Sequence, residues 1–293
     1  MNEVDAFMIG VPKAGTTWLA NVISQHPGIA LSDPKEPDIV ASHKGTFGRT
    51  DESPDWSRYD DCFSSDGIRI DASIHTFACP LAPERLASRA PSLLMLLCLR
   101  EPVSRTVSHW NMIRDAKQDE KNGSDWSDFT TAWSDSRLRD DSLYGAAMAR
   151  WLEHFPLEQF LIIDSQRMRT QPDRVLEEVG SFLGLGTHSY DLDPRRHANT
   201  AMDRRPVTQL GRLVRGIFSI VPSWIKGPVV RSLQARDINI YAAPVLSRTA
   251  TPRSVGPEHI SICADEICED LAQFESLTGF STSHWVGEIR SKR

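Results

Sequence analysis

The chain has 293 residues, 40% of them hydrophobic and 25% charged, and a formal net charge of −6 at pH 7. That length buries a sizeable core and fits one large α/β domain, alone or with appendages. The acidic balance excludes bulk electrostatic binding to nucleic acid or anionic lipid, but not a local basic pocket for a small polyanion.

The opening Met1-Asn2-Glu3-Val4-Asp5 is acidic and lacks the basic and apolar regions of a secretory signal, so a cytoplasmic location is expected. The first strand expected is Ala6-Phe7-Met8-Ile9-Gly10, which runs into a glycine-containing turn. A helix follows over about 16–25, ended by His26-Pro27-Gly28. Residues 41–67, rich in Ser, Asp and Gly, read as a long irregular connection. The apolar run 93–99 reads as a second strand; it is far short of the roughly 20 residues of a membrane-spanning helix, so no integral membrane association is expected. Arg100-Glu101-Pro102 comes next, with proline suited to the first helical position and Val103, Val107 and Trp110 at helical spacing.

Tyr144, Met148, Trp151, Leu152 and Phe155 mark another amphipathic helix, stopped by Pro156. Residues 160–163 form a third strand, and Val175, Leu176, Val179, Phe182 and Leu183 a helix closed by Gly184-Leu185-Gly186. A final helix over about 257–278 carries Ile260, Cys263, Ile267, Leu271 and Phe274 on one side. Strands alternating with helices imply βαβ units: an α/β, P-loop-like three-layer fold with a central parallel β-sheet flanked by helices. One domain over residues 1–293 is expected, with a core over about 6–186, an irregular region over about 187–257 and the C-terminal helix. The five cysteines contain no Cys-x-x-Cys and read as reduced, mostly buried thiols, and no metal-ligand cluster is visible.

Chemistry concentrates in Gly10-Val11-Pro12-Lys13-Ala14-Gly15-Thr16-Thr17-Trp18. A strand ending in a glycine turn that opens a helix gathers backbone N–H groups and the positive helix end around one small volume. Lys13 adds a point charge and Thr16 and Thr17 add hydroxyls, a construction suited to phosphate or sulfate. A nucleoside-triphosphate P-loop places Lys directly after its second glycine, then a Mg²⁺-binding Ser or Thr. Here Gly15 is followed by Thr16, and the lysine lies inside the loop, so a Walker-type kinase fits poorly.

The string Pro-Lys-Ala-Gly-Thr-Thr-Trp after a strand resembles the 5′-phosphosulfate loop of sulfotransferases that use 3′-phosphoadenosine 5′-phosphosulfate (PAPS). A second stretch, Arg100-Glu101-Pro102-Val103-Ser104-Arg105-Thr106-Val107-Ser108, resembles the same family's second signature. The resemblance extends over about 6–186, nearest to bacterial enzymes related to heparan-sulfate sulfotransferases. It implies a metal-independent transfer of a sulfuryl group from PAPS to a hydroxyl, less readily an amine, of a carbohydrate, lipid or other small acceptor. Pro12, Lys13, Ala14, Gly15, Thr16, Thr17 and Trp18 would hold the 5′ end of the donor. Arg100 and Ser108 would hold its 3′-phosphate, supplemented by Arg195 and Arg196 or by Arg204 and Arg205. The rival readings are a nucleotide kinase with a degenerate P-loop and a non-catalytic nucleotide-binding module.

Lys13 is expected to neutralise the leaving oxygen, and a general base must take the acceptor proton. The resemblance implies Glu36, in Lys35-Glu36-Pro37, as that base; read without it, the tetrapeptide is a charged surface turn. His43 and His75 are the alternatives, and Asp71 stands where an acceptor-orienting carboxylate is expected. Leu81 replaces a lysine that contacts the acceptor in glucosaminyl 3-O-sulfotransferases. Residues 210–230 mix apolar and basic side chains and read as an amphipathic segment packed on the body, or as a lid over an acceptor.

Overall fold

Short apolar segments such as Ala6–Gly10 and Leu94–Leu99, hydrophobic at nearly every position, become the inner strands of a sheet covered on both faces. The computed structural model describes residues 4–64, 66–192 and 255–293. Its parallel sheet contains β1 (Ala6–Gly10) and β2 (Ile29–Leu31). The segment after β2 makes a small antiparallel hairpin, β3 (His43–Lys44) with β4 (Gly48–Arg49). The sheet is completed by β5 (Ile68–Asp71), β6 (Leu94–Leu99) and β7 (Phe160–Asp164), in the order β2-β5-β1-β6-β7. β1 is central and buried at all five positions.

The helices expected from the sequence are α1 (Thr16–Ile23), α3 (Pro102–Asp115), α7 (Tyr144–Leu152), α9 (Pro172–Phe182) and α10 (Pro257–Thr278). Shorter ones join them: α2 (Ala82–Ala87), α4 (Gln118–Lys121), α5 (Phe129–Ser134), α6 (Ser136–Arg139), α8 (Ser165–Thr170) and α11 (Ser283–Ser291). The connection over 41–67 is not wholly irregular. Besides the hairpin it holds a 3₁₀ turn, Trp56–Cys62, capped by Asp55. The chain passes from β1 to β2, β5 and β6 through the central position, so the crevice lies beyond the carboxyl ends of β1 and its neighbours.

Tertiary contacts also supply what local sequence lacks. α7 has no side-chain cap of its own. Asp270 of α10 provides one, accepting from the N–H groups of Gly145 and Ala146 at 2.8 Å each. Gly145 is required there, because a Cβ would stand 2.3 Å from the Asp270 carbonyl oxygen. The five cysteines are free thiols, four of them buried. Among the described residues, no helix is long and apolar enough to cross a membrane and no His/Cys/Asp/Glu group could hold a metal ion.

Candidate active site

Strand β1 delivers the 10–17 loop. Its register with β6 slips between Met8 and Gly10, and Val11 N–H then donates to the Cys98 carbonyl at 2.7 Å. Lys13 at φ 74 and Gly15 at φ 90 are both left-handed, a tight turn that brings the strand end onto the start of α1. That conformation costs a non-glycine residue about 1–2 kcal/mol, so its adoption by Lys13 marks a place where function outweighs backbone preference. The first N–H groups of any helix lack intrahelical partners. In α1 neither a side-chain cap nor an acidic residue covers them. α3 is the contrast: Glu101 occupies its N-terminus, accepting from Val103 N–H at 2.7 Å and Ser104 N–H at 2.8 Å. The start of α1 is therefore open where that of α3 is filled.

Arg100, at the end of β6, is brought against this loop and donates from Nη1 to the Lys13 carbonyl at 3.4 Å. Burial, and then neighbouring Arg169, lower its pKa from the ordinary arginine value. The backbone of Arg100 is fixed by Tyr144, whose hydroxyl donates to its carbonyl at 2.7 Å. Lys13 Nζ lies 3.7 Å from Met112 Sδ, which places α3 alongside the lysine. Ser108 is half-buried on α3, but its neighbour Arg105 is wholly buried. Arg105 serves the interior instead, donating to Ser142 Oγ at 2.7 Å and to the Leu138 carbonyl at 3.0 Å.

The candidate base lies on a segment zipped to the residues after β5. Lys35 Nζ donates to the Ala72 carbonyl at 3.4 Å, and Asp38 N–H donates to Ser73 Oγ at 3.0 Å. The next turn packs on the loop itself. Phe77 N–H donates to the Ile9 carbonyl at 2.7 Å, and a Cβ on Gly10 would meet Phe77 Cβ at 2.9 Å. Glu36 is 34% exposed and paired with Lys35 at 2.8 Å, accessible to an incoming hydroxyl. Asp38 keeps Oδ1 buried without a partner; burial and then the charge of Glu36 raise its pKa.

Of the alternative bases, His43 is half-buried like Glu36 and His75 is buried. His43 is pushed down to about 4 by burial and by Arg49, which makes it a weak base. His75 is buried, its Nδ1 3.4 Å from Asp141 Oδ2. Burial would raise the Asp141 carboxyl, but His75, Arg105 and His109 outweigh it and hold that group well below the usual range. Asp71 is not available to an acceptor: it has no exposed surface, accepts from the Tyr59 hydroxyl at 2.7 Å and from Ser73 N–H at 2.8 Å, and is buried by the strand end. It is a structural carboxyl.

The structure thus gathers Lys13, Arg100 and the α1 start at one place, with Glu36 on the adjoining segment. Ala14 and Thr16 are buried, while Thr17 and Trp18 are half-buried. Arg195, Arg196, Arg204, Arg205 and the 210–230 stretch lie outside the described residues. Sequence reasoning missed Asp38, Asp141 and His109; only the spacing of Asp38 two residues beyond Glu36 offered a signal.

Comparison with known proteins places the chain in a family. The sulfotransferase domain family matches residues 3–206. Heparan sulfate glucosamine 3-O-sulfotransferase 5 of Mus musculus is 30% identical over 193 residues, which are 61% of this chain and 53% of that protein. The bifunctional heparan sulfate N-deacetylase/N-sulfotransferase 3 of Mus musculus is 28% identical over 195 residues, 62% of this chain and 22% of that protein. The chain therefore spans about half, or less, of the length of these curated relatives. The crystal structure of a sulfotransferase from Alicyclobacillus acidocaldarius superposes with a TM-score of 0.62 at 19% identity, covering 97% of this chain and 99% of that one, a likeness of fold.

Proposed function

The chain belongs to the sulfotransferase domain family, on its heparan-sulfate-like branch, and from that premise we propose that it transfers a sulfuryl group from PAPS to an acceptor hydroxyl. The observation that carries the donor assignment is the uncapped start of α1 under a loop whose Lys13 carbonyl receives Arg100. A nucleotide with phosphates at both ends needs two cationic subsites, and this loop supports one at Lys13 and one at Arg100.

In this reading the α1 N–H groups and Thr16 and Thr17 hold the 5′-phosphate, while Arg100 and Ser108 hold the 3′-phosphate. The acceptor oxygen forms the new S–O bond as the bond from sulfur to the bridging oxygen breaks. Glu36 takes the hydroxyl proton, and Lys13 neutralises the charge growing on the departing oxygen. The acceptor is a glycan, lipid or other small molecule bearing a hydroxyl. No step calls for a metal ion. Arg195 and Arg196 remain proposed partners of the 3′-phosphate, and the whole chain is proposed to act as one catalytic domain in the cytoplasm.

The test is thermal unfolding of the full chain with adenosine 3′,5′-bisphosphate against ATP–Mg²⁺, since a ligand that binds only the folded state raises Tm. Stabilisation by the bisphosphate is expected; stabilisation by ATP–Mg²⁺ alone would return the chain to the kinase reading. Labelled PAPS with a panel of hydroxyl acceptors then separates an enzyme from a binding module.

A further inference from the structure

Strands β1, β6 and β7 end side by side, and the first two deliver the 10–17 loop and Arg100. The third delivers α8. Register sets Leu99 opposite Asp164, so Arg100 and Ser165 leave the sheet as neighbours. Four residues into α8, Met168 Cε stands 3.0 Å from the place a Cβ on Gly15 would take. This turn of α8 therefore lies against the loop that holds the candidate 5′-phosphate site.

The next residue, Arg169, is exposed and is the charged group that acts most strongly on Arg100, after burial. Among the described residues neither arginine has an ion-pair partner. The other arginine of α8 behaves differently: Arg167 is paired with Glu178 at 2.5 Å. The charges of Arg169 and Arg100 act on one another, with the Glu101 carboxylate as the opposing charge on Arg100, and a phosphate set between the two guanidiniums would relieve that repulsion. Beside them Ser165, 4% exposed, keeps its Oγ buried without a hydrogen-bond partner. A like-charged pair, with an unmet buried hydroxyl on the helix packed against the 10–17 loop, suits an oxyanion.

We infer that Arg169 is a donor-binding residue, closing with Arg100 a two-arginine clamp on the second phosphate of an adenosine bisphosphate, with Ser165 beneath it. The inference rests on the donor assignment above. It gives α8 a role that no motif in the chain announces and makes the clamp a tertiary construction of two strand ends.

The experiment is calorimetric titration of the full chain with adenosine 3′,5′-bisphosphate and with 5′-AMP, which lacks the second phosphate. Arg169→Gln is expected to weaken the bisphosphate by about 10- to 100-fold, the worth of a hydrogen bond to a charged group, and to leave 5′-AMP within about twofold. Arg169→Lys should recover part of the loss, and Arg167→Gln should leave both affinities within about twofold of the parent. If Arg169→Gln binds the bisphosphate as the parent does, or weakens both nucleotides equally, the clamp is wrong while the donor assignment stands. A parent that fails to bind the bisphosphate sinks both.

Discussion

Replacing Asp71 by Asn isolates a buried carboxyl whose effect on stability has a definite sign. Asp71 ends β5 with no exposed surface, and burial pushes its pKa up to about 6 from an ordinary 3.8, against the lowering effect of its bonds from Ser73 and Tyr59. The folded chain thus keeps a proton that the unfolded chain has released between those two values. The contribution of Asp71 to stability is full below about pH 4 and falls as pH rises through about 6, with nothing further lost above. A gap of about 2 pH units, at ~1.4 kcal/mol each, amounts to about 3 kcal/mol. Asn imitates the protonated form: its carbonyl takes the Ser73 N–H, and its amide donates to the Tyr59 hydroxyl oxygen. The two proteins should therefore match near pH 4, and the variant should be the more stable by up to ~3 kcal/mol at pH 8. Urea unfolding followed by tryptophan fluorescence at five pH values gives the difference directly, with titrations common to both proteins cancelling. A difference that is flat from pH 4 to 8, or that favours the parent at high pH, would refute the reasoning. Nucleotide affinity should not change, because Asp71 faces neither substrate.

Three further substitutions probe the loop, the base and the helix contact. Gly15→Ala forces a side chain onto a left-handed residue and against Met168; a loss of about 1–2 kcal/mol is expected, with a smaller melting shift on adding adenosine 3′,5′-bisphosphate. Glu36→Gln should cut sulfuryl transfer by about 10²- to 10⁴-fold while leaving that melting shift intact; an unchanged rate would pass the base role to His75. Gly145→Ala drives a methyl into the Asp270 carbonyl and should cost about 1–3 kcal/mol by denaturant unfolding, with no effect on nucleotide affinity beyond that of stability.

What the sequence made legible follows the range of the forces involved. The central strand β1, the loop and the helix starting at Thr16 are contiguous, so periodicity and turn chemistry located them to within two residues. β6 with Arg100 and Pro102 is equally local. β2 and β5 were missed because three- and four-residue strands carry too little pattern and owe their existence to pairing with each other and with β1. The N-terminus of α7 is capped from 125 residues away by Asp270, which no local signal reveals. Asp71 was misread for a similar reason: the family resemblance suggested an acceptor-orienting carboxylate, but the Tyr59 hydroxyl, reached only through the 3₁₀ turn, claims it.

On the proposed reading, α3 registers the two substrates to one another. Ser108, the proposed 3′-phosphate residue, is half-buried, while the two residues that flank this position in the helix turn, Arg105 and His109, are wholly buried. His109 Nε2 shares a hydrogen bond of 2.9 Å with Thr46 Oγ1 in the β3–β4 turn, and its pKa is driven well below the ordinary value by burial and by Arg105. Arg105 stands 3.8 Å from Asp141, which in turn holds His75, and His75 follows the residues zipped to Asp38 and Lys35. One helix therefore grips the candidate 3′-phosphate residue on one face and ties down the segments that present Glu36 on the other. In-line transfer loses rate steeply when the reacting atoms shift by an ångström. Referring both partners to a single rigid element keeps that distance fixed even where the connecting loops move, and it accounts for so many buried charges at a position where apolar packing alone would be the more stable choice.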